Sequence, residues 1–137
     1  MYELVKEIEY YYALVKDEPG EARKLLEFMS EKGVNILAFT MFPVEDGNTQ
    51  IDIFPENPFH LKSAADDAGI PLVGPKNAFL IQGEDRIGAL YDYHLKLSNA
   101  GINVYASNGA TAGEGRYGYI LWVNPDDFEK AAEVLKS

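Results

Sequence analysis

The sequence contains no cysteine. That absence excludes disulfide frameworks, thiolate metal sites, iron–sulfur clusters and cysteine nucleophiles together, and it fits a reducing compartment. Positive charge is scarce. Lys and Arg number 12 against 22 Asp and Glu in 137 residues, a formal net charge of −10. Such a surface repels duplex nucleic acid and anionic membrane, so neither is expected as a partner. No apolar run approaches the ~18–20 residues of a membrane span. The N-terminus, Met1-Tyr2-Glu3-Leu4-Val5-Lys6-Glu7, has no basic stretch followed by an apolar one, so no signal peptide is read and a cytoplasmic location is expected. Histidine is limited to His60 and His94, and neither has a second ligand at metal-binding spacing. What is plentiful is core-forming material: 47% of residues are hydrophobic and 25% charged, which argues against disorder. The length fits one ordinary domain or two small ones.

The second of these is favoured by an internal repeat. Asp17-Glu18-Pro19-Gly20 and Gly33-Val34-Asn35-Ile36 reappear 68 residues later as Asp85-Arg86-Ile87-Gly88 and Gly101-Ile102-Asn103-Val104. Asn57-Pro58 and Ala64-Ala65 reappear 67 residues later, as Asn124-Pro125 and Ala131-Ala132. One residue is therefore lost, and the gap is expected in a hairpin turn, between Asp46-Gly47-Asn48 and Gly113-Glu114-Gly115. The expected division is a first unit over 1–76 and a second over 77–137.

Within the first unit, Ile8 to Lys16 is rich in Tyr and Val and reads as a strand. Pro19 and Gly20 break it, and Pro is at home in a first helical turn. Ala22, Leu25, Leu26 and Met29 then recur with helical spacing. Val34 to Phe42 and Thr49 to Phe54 are β-rich, joined by the hairpin dipeptide Asp46-Gly47. Asn57 and Pro58 start a second helix, striped by Leu61, Ala64, Ala65 and Ala68, before an extended segment from Pro71 to Lys76. The second unit repeats the pattern, with strands at Ala78 to Gly83, Ile102 to Ser107 and Tyr117 to Val123. Leu90, Tyr93, Leu97 and Ala100 stripe one of its helices, and Phe128, Ala131, Ala132 and Leu135 the other. It lacks a final strand, whereas the first unit has surplus residues at its start. An exchange is expected, in which Tyr2 to Glu7 complete the second unit. The fold class is α+β: two ferredoxin-like βαββαβ units, each an antiparallel sheet with helices on one face. Tyr10, Tyr12 and Leu14 share one face of the first strand, Tyr11, Ala13 and Val15 the other. A sheet apolar on both faces is expected to be covered on both, which points to a homodimer or at least to sheet-to-sheet packing against something.

The Asp-x-Pro-Gly turn followed by Gly-Val-Asn-Ile, present twice and in order, resembles the ACT domain. The likeness spans about Ile8 to Leu135, with Ile87 standing where proline is usual. It implies a stand-alone tandem ACT protein, a regulatory module. Such modules bind amino acids or other small ligands at interfaces between units and signal to a separate metabolic enzyme or regulator.

A free amino acid needs acceptors for its ammonium and donors for its carboxylate. Helix N-termini offer unpaired N–H groups and partial positive charge. The candidate ligand-binding residues are Asp17, Glu18, Gly20 and Asn35 in the first unit and Asp85, Arg86, Gly88 and Asn103 in the second. Gly20 and Gly88 admit close approach, Asp17 and Asp85 can accept from an ammonium, and Asn35 and Asn103 can donate and accept. Both loops of a unit are expected near one end of it. Each residue also has an ordinary role open to it: helix caps for the aspartates, tight turns for the glycines, loop satisfaction for the asparagines. The glycine-rich run Gly109 to Gly118 lacks the ending of a phosphate-binding loop and reads as a long hairpin, with Arg116 able to meet a carboxylate. Asp66-Asp67 and Asp126-Asp127 need no chemistry, since the first pair lies on a polar helix face and the second in a first helical turn. No nucleophile–base pair, metal cluster or cofactor fingerprint is present, so neither catalysis nor a cofactor is expected. The remaining alternative is a ligand-independent homodimeric interaction module.

Overall fold

The elements run β1 (Leu4–Lys16), α1 (Glu21–Glu31), β2 (Ile36–Pro43), β3 (Asn48–Pro55), α2 (Pro58–Ala68), β4 (Val73–Glu84), α3 (Tyr91–Asn99), β5 (Val104–Gly113), β6 (Arg116–Val123) and α4 (Phe128–Lys136) in a computed structural model that describes residues 3–137. Contacts divide the chain into an N-terminal unit, Glu9–Lys76, and a C-terminal unit, Asn77–Ser137 joined by residues 3–8. In the N-terminal unit the strand order is β2-β3-β1, with the start of β4 beyond β1. In the C-terminal unit it is β5-β6-β4, with the start of β1 beyond β4. The expected exchange is thus present for Leu4 to Glu7, and Val5 packs against the C-terminal core. Tyr2, which the exchange also included, lies outside the described residues, as does Met1.

Each unit buries one sheet face under two helices, as the ferredoxin-like arrangement requires. Tyr11 and Ala13 of β1 and Ile51 and Ile53 of β3 meet Leu25 and Met29 of α1 and Leu61 of α2. Phe79 and Ile81 of β4 and Tyr119 and Leu121 of β6 meet Tyr93 and Leu97 of α3 and Ala131 and Leu135 of α4. Asparagine caps start α2 and the short 3-10 turn Pro125–Asp127 that leads into α4. The Asn57 side chain accepts from the backbone N–H of His60 at 3.1 Å, and that of Asn124 from Asp126 at 2.9 Å.

The one-residue gap is not in the hairpin. Tyr11 pairs with Ile53 and Lys16 with Asn48; Phe79 pairs with Leu121 and Glu84 with Arg116, each partner 68 positions on. The offset holds across the turn as well, where Pro43 pairs with Thr49 and Thr111 with Tyr117. It becomes 67 only after β3, so the surplus residue of the N-terminal unit is Glu56. The reason is physical. A hairpin is locked by its ladder, while the link from β3 to α2 lies outside any ladder and tolerates an insertion.

One further expectation is corrected. The strand placed at Ile102 to Ser107 continues as β5 to Gly113, so the glycine-rich run is strand closed by a two-residue turn, Glu114-Gly115, both left-handed. Small residues suit this strand because the ring of Tyr119 lies over it; a Cβ on Gly109 would stand 2.8 Å from that ring. Apolar side chains on the sheet face away from the helices are buried in each unit as well. Tyr10, Phe54, Leu80, Ile120 and Trp122 are all buried, and Tyr10 and Phe54 contact with ring centroids 4.7 Å apart. Large apolar side chains that remain exposed include Leu37, Met41, Phe42 and Val44, on and just after β2.

Candidate functional site

The strand-to-helix loops hold their backbones alike in the two units. The Asp17 N–H donates to Gly47 O at 2.9 Å and the Asp85 N–H to Gly115 O at 2.8 Å. Gly20 and Gly88 follow at φ 90° and 78°, the left-handed region that favours glycine. Neither α1 nor α3 has a side-chain cap. Asp17 therefore does not cap its helix; its Oδ1 accepts from the Thr49 hydroxyl at 3.2 Å.

The side chains of the two loops differ. The N-terminal loop carries two acids, Asp17 and Glu18; the C-terminal loop carries an acid and a base, Asp85 and Arg86. Pro19 fixes an early helix start, and α1 begins at Glu21. Ile87, fully exposed, provides no such constraint, and two turns, Ala89 N–H to Arg86 O and Tyr91 N–H to Gly88 O, carry the chain to an α3 that begins at Tyr91. The longer loop borders an open cleft of about 510 Å³, lined by Asp85, Arg86, Gly88, Tyr91, Thr111 and Tyr117 among others.

Asn35 and Asn103 do not join these loops. β1 and β2 both run antiparallel to β3, hence parallel to each other, so α1 must carry the chain from one end of the sheet to the other. Its 11 residues span ~16 Å at 1.5 Å per residue. The expectation that both loops share an end of the unit is therefore corrected. Asn35 is occupied locally: its side-chain amide donates to Glu56 at 3.4 Å and its carbonyl accepts from the Glu56 N–H at 2.8 Å. Asn103 lines a second cleft of about 650 Å³ along α3 and β5, together with Tyr91, His94, Ser98 and Tyr105. Tyr91 lines both clefts.

The sequence reading missed one polar cluster. The carboxylate of Glu3 accepts from the Tyr93 hydroxyl at 2.7 Å and from the Tyr117 hydroxyl at 2.8 Å. The Arg86 guanidinium lies 3.9 Å from the same carboxylate and 3.6 Å from that of Asp92. Burial, followed by the bond to Glu3, raises both phenols; Tyr93 stands far above the usual tyrosine range and Tyr117 is pushed up to about 12. A signal was available. Tyr93 and Tyr117 both fall at core-facing positions, and a buried phenol needs a hydrogen-bond partner.

The histidines are accounted for by local bonds. His60 Nε2 donates to the Lys32 carbonyl at 2.9 Å, and His94 Nε2 shares a hydrogen bond of 2.7 Å with the Tyr119 hydroxyl. Among the described residues, no cluster of three or more His, Asp or Glu could hold a metal ion, and no helix is long and apolar enough to cross a membrane.

No protein-family model matches the sequence, and comparison with curated proteins finds no match. Solved structures do match. Protein BT0572 from Bacteroides thetaiotaomicron superposes with a TM-score of 0.79 at 16% identity, over 96% of this chain and 88% of that one. The regulatory subunit of aspartate kinase from Thermus thermophilus, in a ligand-free form, gives 0.65 at 15% identity over 98% and 94%. The corresponding subunit from Thermus flavus gives 0.64 at 14% identity, with the same coverage. At these identities the likeness establishes the fold, which is the ferredoxin-like ACT arrangement implied by the doubled turns.

Proposed function

We propose that the chain is a non-catalytic regulatory protein that binds a small ligand, an amino acid, and that the C-terminal unit is the binding half. The observation that carries this reading is the cleft at the start of α3. Asp85 can accept from an ammonium and Arg86 can donate to a carboxylate. No side chain caps that first turn, whose helix end carries partial positive charge, and Gly88 leaves the backbone open. A zwitterion needs both signs of charge; Asp85 and Arg86 supply them, whereas Asp17 and Glu18 supply one. Asn103 would contribute through the adjoining groove. Asp17, Glu18, Gly20 and Asn35 then keep the N-terminal loops in shape rather than meeting ligand. The fold shared with two aspartate kinase regulatory subunits supports the regulatory half of the proposal. A cytoplasmic location and a separate enzyme or regulator as listener belong to the same reading.

A thermal-shift screen of the protein against the twenty amino acids tests it. A ligand at 100 times its dissociation constant adds ~2.7 kcal/mol of stability. A flat screen would favour the second reading, a ligand-independent homodimer. That reading has its own support in the exposed Leu37, Met41, Phe42 and Val44 along an edge strand. Light scattering of the protein beside a Met41→Lys variant tests it, with a dimer expected for the first and a monomer for the second.

A further inference from the structure

We propose that Tyr93, Tyr117 and Arg86 form a binding site for a small free carboxylate, occupied in this structure by the chain's own Glu3. Three donor groups converge on one carboxylate, one phenol on each oxygen, at 2.7 and 2.8 Å, with the guanidinium 3.9 Å away. Both phenols are buried, at 5% and 7% exposure. A buried hydroxyl without an acceptor is costly, and the Glu3 carboxylate supplies one to each phenol, with the Arg86 guanidinium favouring an acceptor of negative charge. Room for the anion is built into the strand beside it. A Cβ on Gly83 would run into the Glu3 carboxylate and would stand 2.8 Å from the Tyr117 ring. Asp92, 3.6 Å from Arg86, is an acidic neighbour that competes for the guanidinium.

Glu3 precedes the first residue of β1, and strand ends fray at little cost to a core. Its side chain keeps 25% exposure, so water already reaches the cage. Clefts adjoin it on two sides: Glu3, Asp92 and Tyr93 line one of about 470 Å³, and Arg86 and Tyr117 line the cleft of about 510 Å³. A free carboxylate arriving by either route meets the same donors and competes with Glu3 for them. Glu3 thus acts as a tethered competitor, and its release would loosen the first residues of β1. This inference shares Arg86 with the amino-acid reading and goes beyond it, to the two phenols and the occupant they hold.

The test uses sodium acetate as probe, titrated at constant ionic strength with sodium chloride, and followed by melting temperature and by the carbon-13 NMR signal of labelled acetate. Removing Glu3 removes a competitor whose effective concentration is on the order of millimolar or more. Acetate is expected to bind Glu3→Ala at least tenfold more tightly than the parent chain and to restore part of its lost melting temperature. Adding Tyr93→Phe and Tyr117→Phe to Glu3→Ala is expected to abolish both effects. Should Glu3→Ala fail to fold, Glu3→Leu carries the comparison, keeping an apolar stem and removing the acceptor oxygens. Equal acetate binding with and without Glu3, or binding that survives loss of both hydroxyls, overturns the proposal. A flat amino-acid screen would sink the proposed function and leave this result standing, and the reverse also holds.

Discussion

Replacing Gly88 separates what the backbone demands from what a ligand demands. Its φ is 78°, and nothing lies within 4 Å of where a Cβ would stand. Alanine there meets no clash, so its cost is conformational. A non-glycine residue held left-handed costs ~1–2 kcal/mol, and alanine recovers about 0.4–1 kcal/mol by restricting the unfolded chain. The net loss for Gly88→Ala is therefore ~0.5–1 kcal/mol. At roughly 4 °C per kcal/mol for a chain of this size, the melting temperature should fall by about 2–4 °C. Gly118 is the control. It too has open space at its Cβ position, but its φ is ordinary. Gly118→Ala keeps the unfolded-state gain alone and should raise the melting temperature by about 2–4 °C. Calorimetry of the two variants beside the parent reads both signs. Equal shifts, or a stabilised Gly88→Ala, would refute the conformational argument. Gly88→Asn then carries the functional arm, because asparagine tolerates the left-handed region. It should melt near the parent while placing a side chain in the cleft. A ligand found in the screen should bind it at least tenfold more weakly; unchanged affinity would remove this loop from the site.

Three further outcomes are expected. Tyr117 has its folded pKa raised from 10.0 to about 12, so the stability it contributes is fully present below pH 10.0 and is lost as pH rises through about 12. Denaturant melts from pH 8 to 12 should show a decline that Tyr117→Phe reduces. Asp52 is buried at 3% exposure with its pKa raised by desolvation, only partly opposed by hydrogen bonds from Gln50 and Thr40 and the charge of Lys76. The sign is the same: the folded state favours the protonated form, so stability from this group is present below 3.8 and lost as pH rises through its folded pKa. Asp52→Asn should therefore be more stable than the parent at pH 7 and lose that advantage below pH 4, as read by urea melts at the two pH values. Finally, calorimetric titration with a ligand from the screen should give one site per chain, with Arg86→Ala abolishing binding and Glu18→Ala leaving it within twofold; two equal sites would contradict the assignment to the C-terminal unit.

Much of the fold lies in local signals. The caps Asn57 and Asn124, the left-handed pairs Asp46-Gly47 and Glu114-Gly115, and the helical stripes ending in Met29, Leu97 and Leu135 each act within a few residues, and each is where its pattern puts it. The glycine-rich half of β5 is different. Its strand character comes from pairing with Tyr117 and Tyr119 across the hairpin, and glycine or alanine propensity gives no hint of that. The gap after β3 was misplaced for a similar reason, since identities alone do not reveal which segment a hydrogen-bond ladder has locked. At the candidate site, Asp85, Arg86 and Gly88 lie together because they are neighbours in sequence, whereas Asn103 depends on which end of α3 it follows. The Glu3 cage lay furthest from view. It joins residues 90 and 114 positions apart, and only the demand of two buried phenols for an acceptor pointed to it.

The two units share a backbone frame but not its contents, and the differences gather where the ligand is proposed to bind. Position for position, Glu18 stands opposite Arg86, Pro19 opposite Ile87, and Thr49 opposite Tyr117. The first exchange turns a doubly acidic loop into one of mixed charge. The second removes the ring that sets an early helix start, and α3 begins later. The third replaces the hydroxyl that holds Asp17 with one that reaches Glu3 instead. At the other end of the helix, Glu56, which engages Asn35, has no counterpart beside Asn103. Each difference alone is modest. Three of them fall on the same end of the same helix; the first makes that end of the C-terminal unit more evenly charged than its twin and the second lengthens its loop. A repeat kept only for its core has no reason to differ in this concerted way, because loop residues contribute little to packing. In the N-terminal frame Thr49 holds Asp17 and Glu56 holds Asn35, while the C-terminal frame borders a cleft, and that contrast is what the proposed binding in the C-terminal unit requires.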